Sequence, residues 1–279
     1  MRRGQASRTA RAAAVHRAVH QVLEAGRIFA DPLAVSILGE DVEALAREAG
    51  QNPDHRLMRM FIAVRTRFAE DALAAAAERG VRQLVVLGAG LDTYAYRGAM
   101  RGRLRMFEVD HPATQAWKRE RLSAAGIPLP GALTFAPVDF ERETLGEGLA
   151  AAGFDPAQRS FFAWLGVVPY LTEEAVFATL RYIAGLPGGA AVVFDYGNPP
   201  DSFSPEMRAV YDARAAHVAE AGEAWVSHFG TSELRVRLMA LGFTDVEDLG
   251  PPQIAARYFP RHAGSARENG GHIVRSATF

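Results

Sequence analysis

The amino-acid sequence predicts an α/β protein built on a doubly wound, mostly parallel sheet. Three observations carry this expectation. From Gln83 onward, short apolar runs alternate with amphipathic stretches; one apolar run passes through a glycine turn; and the first 80 residues show helical spacing instead. In that first part, residues 9–23 and 53–79 have apolar positions on one helical face, the second through Leu57, Phe61, Val64, Phe68 and Leu73. Residues 84–87, 104–109, 133–138, 161–165 and 191–194 then read as buried strands. Between them, residues 112–125, 143–152 and 172–184 are long enough to cross over a parallel sheet. Residues 197–205 are rich in Pro, Ser and Gly, and 206–221 return to helical periodicity, so an insertion is expected around 197–230. A last crossover helix over 232–241 ends at Gly242, and 243–249 and 272–279 close the sheet, with a loop marked by 250–252. The organisation expected is one domain: a helical cap over 1–80 and a ligand-binding sheet over 81–279.

Composition narrows the function classes. Hydrophobic residues make up 49% and charged residues 23%, the ordinary range for a soluble globular chain. Lys and Arg number 31 against 32 Asp and Glu, which gives no basic footprint for nucleic acid. No Cys occurs, so disulfides, thiolate metal sites and a cysteine nucleophile are excluded. The basic, Ala-rich start has no uninterrupted apolar stretch of signal-peptide or membrane type, and a cytoplasmic location without membrane partners is expected. Its Arg-rich, acid-poor character leaves a transit peptide as the alternative.

The chemistry centres on residues 84–93. A buried strand runs into Gly88-Ala89-Gly90, and Asp92 and Thr93 supply oxygens to cap a following helix. Glycines there let a ligand approach the backbone, and the first helical turn would offer free N–H groups. The next strand ends in Glu108 and Asp110, about 20 residues past Gly90, where a nucleotide-binding unit grips a ribose diol. Asp110 is the expected ribose ligand, with capping of the helix from Pro112 as its alternative. Glu108 shares the task or orients the loop. The third strand ends at Asp139 and Phe140, suited to an adenine amino group and its apolar face. NAD enzymes share this logic, but a dinucleotide fingerprint has Gly where this chain has Thr93.

Taken together, the chain resembles the leucine carboxyl methyltransferase family, in particular its bacterial, actinomycete-type branch of S-adenosylmethionine-dependent enzymes. The resemblance spans nearly the whole chain: GRIFADPLA at 26–34, AVRTRFAEDAL at 63–73, VVLGAGLDTYAYR at 85–97, FEVDHPATQAWKRERL at 107–122, PVDFE at 137–141 and WLGVVPYLTEEAV at 164–176. It implies a class I, Rossmann-like, seven-stranded sheet binding S-adenosylmethionine, with the methionine part near Gly88, Ala89 and Gly90. By motif position Arg65 pairs with the methionine carboxylate, as a guanidinium can with two parallel hydrogen bonds. Arg67 lies on another helix face. Leu165 stands where many members carry a Glu facing the methionine amino group, and cannot accept that bond. Tyr170 matches the family Tyr and is the candidate for positioning the methyl acceptor.

The resemblance implies O-methylation and allows protein C-terminal carboxylates, small-molecule carboxylates and polyketide-like phenols as acceptors; no motif chooses among them, and a carboxyl or hydroxyl of a secondary metabolite is the expected one. A carboxylate arrives ionised at neutral pH and needs no base, whereas a phenol needs one, for which His228, His55 and His262 are candidates. Asp195, Tyr196 and Trp225 are expected to line the acceptor pocket, with packing at the strand end as the equal alternative. His16 and His20 are four apart on the first helix, but Arg17 replaces the Glu of a zinc motif, and no metal site is expected. An NAD(P)-dependent oxidoreductase and a non-catalytic cofactor-binding fold are the competing readings.

Overall fold

A computed structural model describes residues 7–51, 53–100, 102–139, 143–220, 224–265 and 267–279. The chain forms two compact units, residues 1–154 and 155–279. The first opens with four helices, α1 (Arg8–Leu23), α2 (Ala34–Leu38), α3 (Val42–Gly50) and α4 (Pro53–Glu78). Local chemistry sets their ends. The Ser7 hydroxyl accepts from Ala10 N to start α1, Asp41 does the same for Ala44 N at α3, and Gly39, at φ +61°, closes α2. α1 packs against α2, α3 and α4, so the helical cap shares the first unit with the strands that follow it.

Those strands are β1 (Gln83–Leu87), β2 (Arg105–Asp110) and β3 (Leu133–Pro137), separated by the short α5 (Tyr94–Arg97) and by α6 (Pro112–Ala124). They are parallel, with Leu87 level with Val109 and Asp110 level with Pro137. All five residues of β1 are buried, as a strand covered on both faces requires. α7 (Leu145–Ala151) follows, started by a capping box between Thr144 and Glu147.

The second unit holds β4 (Ser160–Trp164), α8 (Glu173–Ala184), β5 (Ala190–Gly197), α9 (Pro205–Glu220), α10 (Thr231–Ala240), β6 (Asp245–Leu249), α11 (Pro251–Tyr258) and β7 (Gly271–Ala277). β4 and β5 are parallel, while β7 runs antiparallel to both β5 and β6. The sheet order is β3-β2-β1-β4-β5-β7-β6, a mostly parallel, seven-stranded α/β sheet as the sequence predicts. One local expectation fails. The loop read at 250–252 is the start of α11, because Pro251 sits in the first helical turn, where a missing N–H costs nothing. Among the described residues no helix is long and apolar enough to cross a membrane.

In the first unit Phe107 of β2 is fully buried and meets Phe154 edge-to-face, with ring centroids 5.6 Å apart. Phe107→Ala is expected to destabilise the protein by about 3–5 kcal/mol in urea denaturation, since the packed surroundings cannot collapse into the void.

Candidate functional site

The glycine turn joins the C-terminal ends of β1 and β2. Gly88 and Gly90 have φ of +64° and +44°, conformations that side chains rarely adopt. The amides of Gly88 and Ala89 both donate to Val109 O, at 2.9 and 3.1 Å. Gly90 N donates to Asp110 Oδ2 at 2.6 Å, and Asp110 Oδ1 accepts from His111 N at 2.7 Å. All three amides of the glycine turn are thus bonded within the protein. Asp110 does not cap α6, whose N-cap is His111, with its Nδ1 accepting from Ala113 N at 3.2 Å. Burial raises the Asp110 pKa above its ordinary value, against the lowering effect of its two backbone partners.

Beyond the turn, the backbone is held by side chains from the cap. A Cβ on Gly90 would lie 3.1 Å from the Ala10 Cβ, so α1 closes over the turn at that point. Arg17 of α1 donates to Leu91 O at 2.6 Å. Asp92 Oδ1 accepts from Tyr94 N, whereas Thr93, expected to cap, makes no such bond. The Thr93 hydroxyl instead donates to Asp31 Oδ2 at 2.7 Å. Asp31 is fully buried; its Oδ1 is 3.1 Å from Arg97 Nε, and Arg97 reaches Glu70 at 2.6 Å. The helix after the turn is only the four residues of α5, so these side chains, rather than a long helix, fix the turn's exit.

Glu108 is placed differently from the expectation. It is 1% exposed and sits 2.7 Å from the equally buried Lys118 of α6, with the Tyr96 hydroxyl 3.3 Å away. Burial pushes the Glu108 pKa up to about 7, partly opposed by Lys118. A carboxylate so enclosed braces β2 against α5 and α6.

Arg65 is half-buried on α4 beside buried Val64 and Thr66. Arg67 is exposed and pairs with Asp71 at 2.8 Å, which separates the two arginines as their helix faces predict. Asp139 is half-buried just past β3, and Phe140 lies outside the described residues.

In the second unit, Leu165 is half-buried immediately after β4, and Gly166 N, at a residue with φ +73°, donates to Asp195 Oδ1 at 2.6 Å. Tyr170 ends a 3-10 turn at Val168–Tyr170 and is also half-buried. Pro169 O in that turn accepts from Val226 N at 2.7 Å, and Phe229 N donates to Gly197 O at 3.0 Å, so the 224–230 loop is bonded to the ends of both segments. Trp225 and His228 of that loop are half-buried beside Tyr211 of α9. Tyr196, expected to line a pocket, is 2% exposed, donates to Asp248 Oδ2 at 2.8 Å and stacks on His272. It packs the antiparallel end of the sheet. His55 is exposed, the side chain of His262 lies outside the described residues, and His20 is buried beside Glu24 and Arg59. Among the described residues no group of metal-ligating side chains is found.

Sequence reasoning missed Asp31, Arg17, Arg97, Lys118 and Tyr211. Asp31 had a signal, a lone acid before Pro32 in an otherwise apolar motif. Lys118 had a weaker one, its one-turn spacing from Thr114 and Leu122 on the buried face of α6.

Residues 10–184 match the model of the leucine carboxyl methyltransferase family. This chain belongs to that family. It is 28% identical over 93% of both chains to YktD of Bacillus subtilis (strain 168), proposed to be an S-adenosyl-L-methionine-dependent methyltransferase. Proteins of Parafrankia and Mycolicibacterium paratuberculosis with the same proposed activity are each 36% identical, over 65% and 67% of this chain. Those matches span 61% and 66% of the actinobacterial relatives' own lengths. The chain is thus an S-adenosylmethionine-dependent methyltransferase, and the oxidoreductase reading falls. The turn fits that cofactor. Its three amides have internal partners and a carboxylate lies against it, which suits a cationic ligand without phosphates and disfavours a pyrophosphate. When bound, S-adenosylmethionine supplies a methyl group activated by its sulfonium.

The Glu108–Lys118 pair gives a pH prediction. Glu108 ionises in the unfolded chain near 4.5 but in the folded protein only near 7, so its contribution to stability falls as pH rises between those values. Urea denaturation of Glu108→Gln should lack that fall. At neutral pH, Lys118→Met should cost about 3–5 kcal/mol, with much of the loss recovered in the double variant. Parallel pH profiles for wild type and Glu108→Gln would contradict this.

Proposed function

We propose that this enzyme methylates an oxygen, a carboxylate or hydroxyl, of a small molecule of the secondary-metabolite type. The observation that carries this reading is the half-buried aromatic group of the second unit. Phe203 and Trp225 flank Tyr211, with ring centroids 5.6 and 5.4 Å from its own, and Tyr211 lies beside the imidazole of His228. Aromatic faces next to one convergent polar pair suit a flat organic acceptor. The family is named for transfer to a carboxyl, which supports oxygen as the acceptor. Near-balanced charge supports a partner that is neither nucleic acid nor an anionic membrane.

Within this reading, Asp110 binds the ribose through lone pairs not used by its two backbone partners. Asp139 and Phe140 hold the adenine; Gly88, Ala89 and Gly90 pass beside the methionine part; and Arg65 pairs with its carboxylate. Leu165 borders the amino group through its backbone, and Tyr170 positions the acceptor. Glu108 serves the site indirectly, through the strand that carries Asp110.

Calorimetry with S-adenosylhomocysteine tests the cofactor assignments. Asp110→Ala and Arg65→Ala should each weaken binding by about 10- to 100-fold, the worth of hydrogen bonds to charged groups, with circular dichroism unchanged. Unaltered affinity in either variant removes that residue from the site. A methyl-labelled cofactor offered with phenols and carboxylic acids should yield labelled ether or ester, told apart by lability to mild alkali. Binding without any transfer would instead support a fold that has lost catalysis.

A further inference from the structure

Within the first unit, charged side chains gather at the exit of the glycine turn. Asp31 is fully buried; its Oδ2 accepts from the Thr93 hydroxyl at 2.7 Å, its Oδ1 lies 3.1 Å from Arg97 Nε, and Arg17 Nε is 3.5 Å away. Arg97 also grips Glu70 of α4 through both terminal nitrogens, at 2.6 and 3.2 Å. Elsewhere the cap is packed differently, by Val19, Ala46 and Ala49 against Val15, Val22 and Leu45. Desolvation offsets much of the attraction within a buried ion pair, so apolar side chains of equal volume hold a fold as well. What a satisfied buried network adds is a fixed geometry.

The geometry fixed here is that of residues 91–93. Arg17 donates to Leu91 O at 2.6 Å. The Thr93 hydroxyl is used in both directions, donating to Asp31 and accepting from Arg97 Nε at 2.9 Å, so its orientation is set. Asp92, between these two anchors, leads back to the turn, because its amide donates to Ala89 O at 2.7 Å. Asp31 is held from its own side as well. Its Oδ1 accepts from Leu33 N at 3.1 Å, and its amide donates to Gln21 Oε1 at 2.9 Å, while Gln21 donates to Arg17 O and Phe29 O. A continuous run of bonds therefore joins α1, through Asp31 and Thr93, to Ala89.

We propose that Asp31 is a positioning residue for S-adenosylmethionine, holding residues 89–93 through the Thr93 hydroxyl in the conformation that binds the cofactor; this inference rests on the assignment of the glycine turn to that cofactor. Asp31 has no exposed surface and acts without meeting the ligand. Groups that contact a ligand must be held within about 0.5 Å of their productive place, which depends on the bonds behind them. Thr93 can pass this restraint on only through its hydroxyl. The residue that stands where a dinucleotide fingerprint has Gly is thus the contact by which the helical cap reaches the turn.

Asp31 is too enclosed to replace safely, so the test is made at Thr93 in the full-length protein, by calorimetry with S-adenosylhomocysteine where urea denaturation shows every variant fully folded. Thr93→Val keeps the side-chain volume and loses the hydroxyl, whereas Thr93→Ser loses a methyl and keeps the hydroxyl. Thr93→Val should weaken binding about tenfold, the worth of a hydrogen bond to a charged group, and Thr93→Ser should bind as wild type does. Leu122→Ala, which opens a cavity at the far end of α6, should lower stability and also leave affinity unchanged. Unchanged binding in Thr93→Val overturns the proposal. So does an equal loss in Thr93→Ser or Leu122→Ala, since packing would then set the affinity. Asp110→Ala reads the assignment beneath it: with both Asp110→Ala and Thr93→Val unaltered the turn is not the cofactor site, whereas a loss in Asp110→Ala alone removes only Asp31.

Discussion

The Asp110 carboxylate is the interaction on which the site's shape depends. It stands at the last position of β2 and bridges two backbone amides, Gly90 in the turn after β1 and His111 at the entry to α6. Two strand ends that would otherwise diverge into separate loops are thereby tied at one point. The arrangement places an anion against a turn whose own amides are occupied, so the local field favours positive charge. A phosphate-binding turn has the opposite character, with amides pointing outward and no carboxylate near. The same backbone motif can thus serve two cofactor classes, and the partners of three N–H groups decide which.

A second carboxylate, Asp31, does for the exit of the turn what Asp110 does for its start. It is buried without exposure and is compensated by the Thr93 hydroxyl and the Arg97 guanidinium, with Arg17 3.5 Å away. Burying a charge is tolerable only with such partners. The motifs around residues 31, 70 and 93–97, far apart in the chain, are one network in space.

Much of the fold was legible because its signals are local and periodic. The apolar runs located the strands within a few residues, and the turn glycines at 88 and 90 announced their positive φ. The misplaced parts depended on long-range partners. Glu108 looked like a site residue because strand periodicity puts it on the face of Asp110, and the spacing of Lys118 on α6 hinted at burial without saying that it would meet Glu108. Thr93 looked like a cap because threonines usually are, and its true partner lies 62 residues earlier. Tyr196 ends a strand, as ligand-lining residues do, but a stacked His272 from the final strand claims its ring. In each case the side chain's type was right for several roles, and a contact distant in sequence chose among them.

The seam between Ala10 and Gly90 changes what counts as the cofactor-binding part of this chain. Helix α1 touches the turn through two of the smallest residues available and, about two turns on, holds Leu91 O through Arg17. The opening helix is therefore a support of the glycine turn rather than an ornament added in front of it. A shortened protein beginning at β1 would keep every glycine of the motif and still lose the surface that shapes it, so sequence comparisons confined to the glycine run would overlook half of what makes it work.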